Sequence, residues 1–461
     1  MVFKNGQEYN DTHVFTEAEL LEVVPEDIYR YFKHRAYGNA EANEDQDNPT
    51  EARSNAIKYW KKAISYFMPN NLMPYNEIGN VGNPTRHAKI NKLIGKIKKK
   101  EAARLGRKSL ARRALYASEF ENAIEKMESY SDDEIACFMS GCFKFQYNMI
   151  ARVDDSAKFR SPDMKVFHQY PDYGIIARLC WSKNVLDERD APDQVLFGAM
   201  DHRYCALVGL GIWLEHHFTK NPENNEFLFG TKGINCPVAI KNKAASKLRE
   251  IFKDETFNVV DDGNKGTHSM RKFAVTQARS SGCGKDDTDT RARWKGHKRQ
   301  QDDYANVTIP YVDAKVAAAL CKGGVCAYVH ANGSGISNDW VLDYVVPHMK
   351  EKCHRQVCIV LGRALLWRIF DPSGVHIIPQ NIRVRVMAAY NDLGTTCTLE
   401  NRENPIKKIP LGVNGCDAEL IIHELLSDET DSNSQNIMQR RNTIERDEIR
   451  LLSSQVLYLR R

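Results

Sequence analysis

The 461-residue sequence has no apolar run approaching the roughly 20 residues that a bilayer crossing needs. Its opening, Met-Val-Phe-Lys-Asn-Gly, lacks the charged-then-apolar pattern of an export signal. These absences lead us to expect a protein made in the cytoplasm and working there or in the nucleus, with no membrane partner. Cysteine is thinly spread, and 12 scattered residues without an export signal read as reduced thiols rather than a disulfide framework. Cys321-x4-Cys326 and Cys353-x4-Cys358, with His354 beside the latter, carry the ligand types of a tetrahedral zinc site. Such spacing is common on loops and helices, so packed thiols are the reading adopted and no metal is expected. No internal repeat is evident.

Acid is nearly absent from one long stretch. Between Arg86 and Arg113 the cations Arg86, Lys89, Lys92, Lys96, Lys98, Lys99, Lys100, Arg104, Arg107, Lys108, Arg112 and Arg113 face only Glu101. The net charge of +5 is modest, but this distribution must face a polyanion or repel itself. A solvated charged face is the usual reading of a charge run. The lack of compensating acids favours contact with double-stranded DNA instead.

What is present fits a soluble multidomain chain: 42% hydrophobic, 27% charged and 9% aromatic residues, long enough for more than one core. Residues 1–49 read as a helical lead, with a short helix at 17–21, then the segment 25–37, and an acidic surface loop at 41–48. Residues 50–130 read as an all-helical module. Ile57, Trp60, Ala63, Ile64 and Phe67 recur at helical spacing over 52–67. A second helix follows Gly-Asn-Pro-Thr, with Thr85 as cap and Ile90, Leu93, Ile94 and Ile97 as its apolar stripe. A third is expected from Ser118, with Glu121 at the capping-box position, to Met127.

Residues 131–320 mix helices with short strands. Helices are expected at 134–151, 204–218, 243–252 and 267–280, strands at 164–168 and 173–181, and a polar loop over Asp286, Asp287 and Asp289. Beyond 320, helices are expected at 340–346, 356–370 and in the terminal tail, with no chemistry legible.

The chemistry gathers in 266–311. His268-x-x-Arg271, the Gly-His pair ending at His297, and the acid-flanked Tyr304 supply donors and bases for one proton, an arginine fork for two phosphate oxygens, and a phenol to attack phosphorus. A helix over 267–280 puts His268 and Arg271 one turn apart near an N-terminus, where the dipole favours anions. Upstream, Arg152 and Lys183 complete the order that a tyrosine recombinase needs: arginine, hairpin lysine, His-x-x-Arg, a second His or Trp, then tyrosine. No cofactor or small-molecule substrate follows from such chemistry.

The chain resembles the tyrosine recombinases of Crypton-type DNA transposons, in particular those of algae and other protists, over roughly residues 20 to 320. In its first part the phrases P-E-D-I-Y-R-Y-F, A-Y-G, A-R-S-N-A-I-K-Y-W-K-K-A-I-S-Y-F-M-P-N, G-N-P-T and A-R-R-A are similar to that family's core-binding domain. Q-Y-N-M-I-A-R-V-D-D is similar to the segment with the first arginine, W-S-K-N to that with the catalytic lysine, and Q-D-D-Y-A to that ending in the nucleophile. C-A-L-V-G-L-G-I-W-L resembles a structural helix of the family.

The resemblance implies an α+β multidomain fold: an all-helical, SAM-like core-binding domain, then a mixed α/β catalytic domain, together clamping duplex DNA. It implies site-specific breakage and rejoining through a 3′-phosphotyrosyl intermediate for transposon integration or excision. Dimers to tetramers would assemble on nuclear DNA. Arg152 and Arg271 would hold the phosphate oxygens, His268 would help deprotonate Tyr304, and Lys183 would protonate the leaving 5′ oxygen. Trp294 rivals His297 for the last accessory place, and Tyr311 rivals Tyr304. The bland alternatives are a salt bridge from Asp154 or Asp155 to Arg152, a solvated turn lysine at Lys183, and a DNA-binding protein on the same fold that does not cleave. A metal-dependent nuclease built on Asp286, Asp287 and Asp289 is a third reading.

Overall fold

The computed structural model describes residues 13–168, 171–186, 190–221, 226–231, 233–259, 263–294, 311–374, 377–393 and 404–411. It divides into two units, Met1–Ala111 and Arg112–Arg461, each with its own core.

The first unit is helical: α1 (Glu17–Leu21), α2 (Pro25–Tyr37), α3 (Ser54–Phe67) and α4 (Ala88–Ala102). α4 buries Ile90, Leu93, Ile94 and Ile97, the stripe its spacing predicts. Each contributes about 1.5–3 kcal/mol by leaving water. The caps differ from expectation. Thr85 sits inside a 3-10 turn closed by Asn83, whose side chain accepts from the Thr85 amide at 3.0 Å, and His87 caps α4 by accepting from the Lys89 amide at 3.0 Å. Asn83 wins because it is buried and also donates to Ser65 Oγ and the Asn71 carbonyl, so its side chain is fixed.

The second unit opens with α5 (Ala117–Glu128), α6 (Asp133–Asn148) and α7 (Val153–Ala157), followed by β1 (Met164–Val166), β2 (Gly174–Arg178) and β3 (Asp193–Ala199). Then come α8 (Ala206–Lys220), α9 (Pro237–Ile251), α10 (Thr267–Ser280), α11 (Lys285–Arg291) and α12 (Tyr311–Leu320). The described chain continues with β4 (Val325–His330), α13 (Asn338–Trp340), α14 (Arg355–Phe370), α15 (Gln380–Asp392) and β5 (Ile406–Pro410). The strands form one sheet in the order β1-β2-β3-β4-β5, every neighbour antiparallel. The fold is therefore α+β.

α8 is buried from Ala206 to Phe218 on every face, as suits an apolar helix at the centre of a core. Its glycines allow that position. A Cβ on Gly211 would lie 2.6 Å from the Leu361 carbonyl oxygen of α14, and one on Gly141 of α6 would lie 3.0 Å from the Gly209 carbonyl oxygen. α5 anchors to α6 by a buried ion pair, Lys144 to Glu128 at 2.6 Å, which Ser140 joins at 2.9 Å.

Four expectations need correction. The break between units falls at 111/112 rather than 130/131, because Phe120, Ala123, Ile124 and Met127 of α5 belong to the second core. Residues beyond 320 are no appendage: β4 pairs with β3, and α14 lies in the core. The segment over Asp286, Asp287 and Asp289 is helix α11 rather than loop, with Asp286 and Asp287 in its first turn, where the dipole favours them. The third helix starts at Ala117, where Glu119, not Glu121, reaches back to the Tyr116 amide at 2.9 Å. The expected terminal helix lies outside the described residues.

Candidate phosphate-binding active site

Two tight turns deliver the arginines. After α6 the chain reverses through Ile150, whose φ of 44° is rare for a β-branched residue, and Arg152 follows at the start of α7. Such conformations cost about 1–3 kcal/mol and persist where the surroundings enforce them. Gln146 enforces this one. It is fully buried, and its amide donates to the Ala151 carbonyl at 3.3 Å and to the Thr267 carbonyl at 3.0 Å. One side chain thus ties the turn carrying Arg152 to the start of α10, which carries His268 and Arg271.

The second turn follows α11, where Arg293 has φ 55°. Arg293 is buried, donating to the Arg291 carbonyl at 2.9 Å and to Gln194 Oε1, with Asp155 3.7 Å away. Trp294 then lies against Arg271, whose guanidinium carbon is 5.2 Å from the ring centroid. Asn184 donates to the Arg293 carbonyl at 3.0 Å, fastening the β2–β3 connection to the same turn. Lys183, beside Asn184 in that connection, is exposed.

His268 is exposed and Arg271 is buried one turn further along α10. Burial, then the Arg293 and Arg152 charges, push the Arg271 pKa down to about 9. Because a guanidinium stays protonated at working pH, the meaning is a positive field without enough counter-charge. His268 is also lowered, by burial first and then by Arg112, Arg271, Arg152 and Lys272.

Neither acid offered as an alternative salt-bridge partner for the Arg152 side chain takes that role. Asp155 accepts from the Arg152 backbone amide at 3.1 Å, and Asp154 pairs with Lys241 at 3.3 Å and Lys158 at 3.5 Å. Arg152 Nη1, Arg271 Nε and Arg293 Nε are buried N–H groups with no hydrogen-bond partner among the described residues. An unmatched charged donor costs at least about 1–3 kcal/mol. Several together, around a histidine at a helix N-terminus, are the donor set that an oxyanion of phosphorus satisfies.

The structure thus brings together Arg152, His268, Arg271 and Trp294, and fastens the Lys183 connection to the turn beside them. His297 and Tyr304 lie outside the described residues, and Tyr311 begins α12. Sequence reasoning missed Arg293 and Gln146, and named Asp155 only as a salt-bridge partner for Arg152. The R-A-R-W run was the available signal, although Arg291 is structural: it joins the Asn148 carbonyl at 2.9 Å, the Val195 carbonyl at 2.9 Å and Asp313.

The basic run divides. Lys89 pairs with Glu26, Lys96 with Asp45 at 2.9 Å and Glu44 at 3.2 Å, and Lys100 donates to the Asp47 carbonyl. Arg107 donates to the Glu51 carbonyl, and Arg113 pairs with Glu119. The acidic 41–48 stretch therefore serves as counter-charge for one edge of α4. Lys92, Lys99, Arg104 and Arg112 are exposed, and Lys108 is exposed on the segment after α4. Arg86 lines a groove of about 820 Å³ between α3 and α4 with Lys58, Lys61, Lys62 and Lys98, and no carboxylate lines it.

Among the described residues no three His, Cys, Asp or Glu side chains converge as metal ligands. Cys321 instead donates to the Ala317 carbonyl at 3.3 Å, and Asp289 pairs with Arg279 at 2.9 Å. No helix among them is long and apolar enough to cross a membrane. No family model matches the chain, and no curated protein matches it, so its function is argued from these residues.

Proposed function

We propose that the chain breaks and rejoins duplex DNA as a tyrosine recombinase similar to those of Crypton-type transposons, acting on nuclear DNA as a dimer or tetramer. The observation that carries this reading is the cluster of Arg152, Arg271 and His268 with its unmatched buried donors. In this scheme the arginines hold the non-bridging oxygens of the scissile phosphate and stabilise the charge of the pentacoordinate transition state. His268, neutral at working pH, takes the proton of Tyr304. The phenol oxygen bonds to phosphorus as the bond to the 5′ oxygen breaks, and Lys183 gives that oxygen its proton. The 3′-phosphotyrosyl bond keeps the energy for a second 5′ hydroxyl to reverse the step. No metal or other cofactor enters it.

The first unit takes the role of the core-binding domain, and its acid-free α3/α4 groove adds Lys58, Lys61 and Lys62 to the phosphate contacts that sequence reasoning placed on the 86–113 run. The test is incubation with nicked suicide DNA carrying candidate target sites, in EDTA, for wild type, Tyr304→Phe and Tyr311→Phe. A covalent adduct on a denaturing gel, lost only with Tyr304→Phe, is the expected result. DNA binding without any adduct across a broad panel of sites would overturn cleavage in favour of a DNA-binding protein on this fold.

A further inference from the structure

Arg112 is the first residue of the second unit and belongs to the basic run read as DNA-contacting. Its place is at the catalytic cluster. The side chain lies along Gly266, the residue before α10: a Cβ there would meet Arg112 Nε at 2.6 Å and Cδ at 2.9 Å. Gly266 has φ 168°, extended backbone open to any residue, so its missing side chain serves the arginine rather than the chain's bend.

The backbone around Arg112 is pinned from both sides. Lys272 of α10 donates to the Arg112 carbonyl, the Arg113 amide donates to the Asn264 carbonyl at 2.9 Å, and the Arg113 side chain is locked by Glu119. The guanidinium itself is exposed, with no carboxylate or hydrogen-bond partner among the described residues. Arg152 and Arg271 also act on His268, and Asp155 directs its Oδ2 to the Arg152 amide and toward Arg293 rather than to Arg112. A third fork therefore stands over the same helix N-terminus with its donors uncommitted.

We propose that Arg112 is a phosphate-binding residue of the cleavage site, holding a DNA phosphodiester beside His268 from a seat made by Gly266. The proposal deepens the recombinase reading and rests on it for the identity of the anion. It gives Arg112 a different task from the cations of the first unit, which meet the backbone of DNA at large. The planar fork matters as well as the charge, since two parallel N–H groups match two oxygens of one phosphate.

The test follows the His268 imidazole by NMR in the full chain while inorganic phosphate is added, for wild type, Arg112→Ala, Arg112→Lys and Gly266→Ala. Arg112→Ala should weaken half-saturation about tenfold, as loss of a charge-assisted contact does. Arg112→Lys should recover part of that loss. Gly266→Ala keeps the charge but pushes the fork aside, so it should fall between them and carries the test if Arg112→Ala does not fold. On duplex DNA, Arg112→Ala should lower the slope of log Kd against log salt by about one. Unchanged half-saturation in both Arg112→Ala and Gly266→Ala would overturn the proposal. Absence of a wild-type covalent adduct would instead overturn the recombinase reading, leaving the phosphate titration to judge Arg112 independently.

Discussion

Both units concentrate positive charge, and they treat it in opposite ways. In the first unit much of it is answered from within: the 41–48 acids sit on Lys96, Glu26 on Lys89, and backbone carbonyls on Lys100 and Arg107. In the second unit, buried guanidiniums crowd around His268 with N–H groups unmatched. Paired charge serves folding, and unpaired buried charge has to be maintained by its surroundings. The local density of lysine and arginine in the sequence therefore points to the wrong place for chemistry. The sparse, scattered arginines of the second unit are the ones with buried N–H groups left unmatched.

The sharpest way to break this contrast is to remove one half of a paired charge in the second unit. Glu128→Ala strands Lys144 in the core and should cost about 3–5 kcal/mol in denaturant unfolding. A loss below about 1 kcal/mol would show that burial there does not demand pairing. Arg271→Ala should do the reverse, lowering the rate of covalent adduct formation on the order of 10²–10³-fold with a smaller effect on stability. Equal losses in both would make Arg271 a structural residue.

Arg113→Ala should cost about 1.5–3 kcal/mol of stability and leave the salt dependence of DNA binding unchanged, because its guanidinium is engaged by Glu119. Reversing two groove charges, Lys61→Glu with Lys62→Glu, should weaken duplex binding about tenfold and flatten the salt slope by about two, whereas Lys96→Glu changes it little.

The smallest effect is on pH. Burial, with His216 beside it, pushes His217 down to about 4. The folded state thus favours the neutral ring, and its contribution is intact above the unfolded value near roughly 6.5. Stability is lost as pH falls from there toward 4, by about 1 kcal/mol already near pH 5.8, and His217→Leu should flatten that fall in thermal melts.

Much of the helical framework was legible. The 267–280 helix was expected with the bounds it has, because its apolar positions repeat on one face and Gly266 precedes it. The sheet was half legible. β1 and β2 were expected, but β3 was missed because D-Q-V-L-F-G-A is buried along nearly its whole length and shows no alternation. β4 and β5 were missed because only helices were expected beyond residue 320, and the glycine-rich break just before β4 hid a return to the sheet. In the site, His268 and Arg271 stand out because four residues carry them. Arg293 and Gln146 do not, since their roles depend on a left-handed turn and on the Thr267 carbonyl, 121 residues along the chain from Gln146.

The pairing of β3 with β4 sets where the chain can be shortened. Gly198 and Ala199 exchange backbone partners with Cys326 and Val325, and a Cβ on Gly198 would meet the Cys326 carbonyl oxygen at 2.5 Å. A stop after Leu320 would keep every candidate catalytic residue and still strip β3 of that neighbour, leaving bare amides and carbonyls at a flat apolar margin. Such a fragment would recruit copies of itself into the gap, so weak adduct formation by the truncated chain would report self-association rather than a missing part of the candidate site.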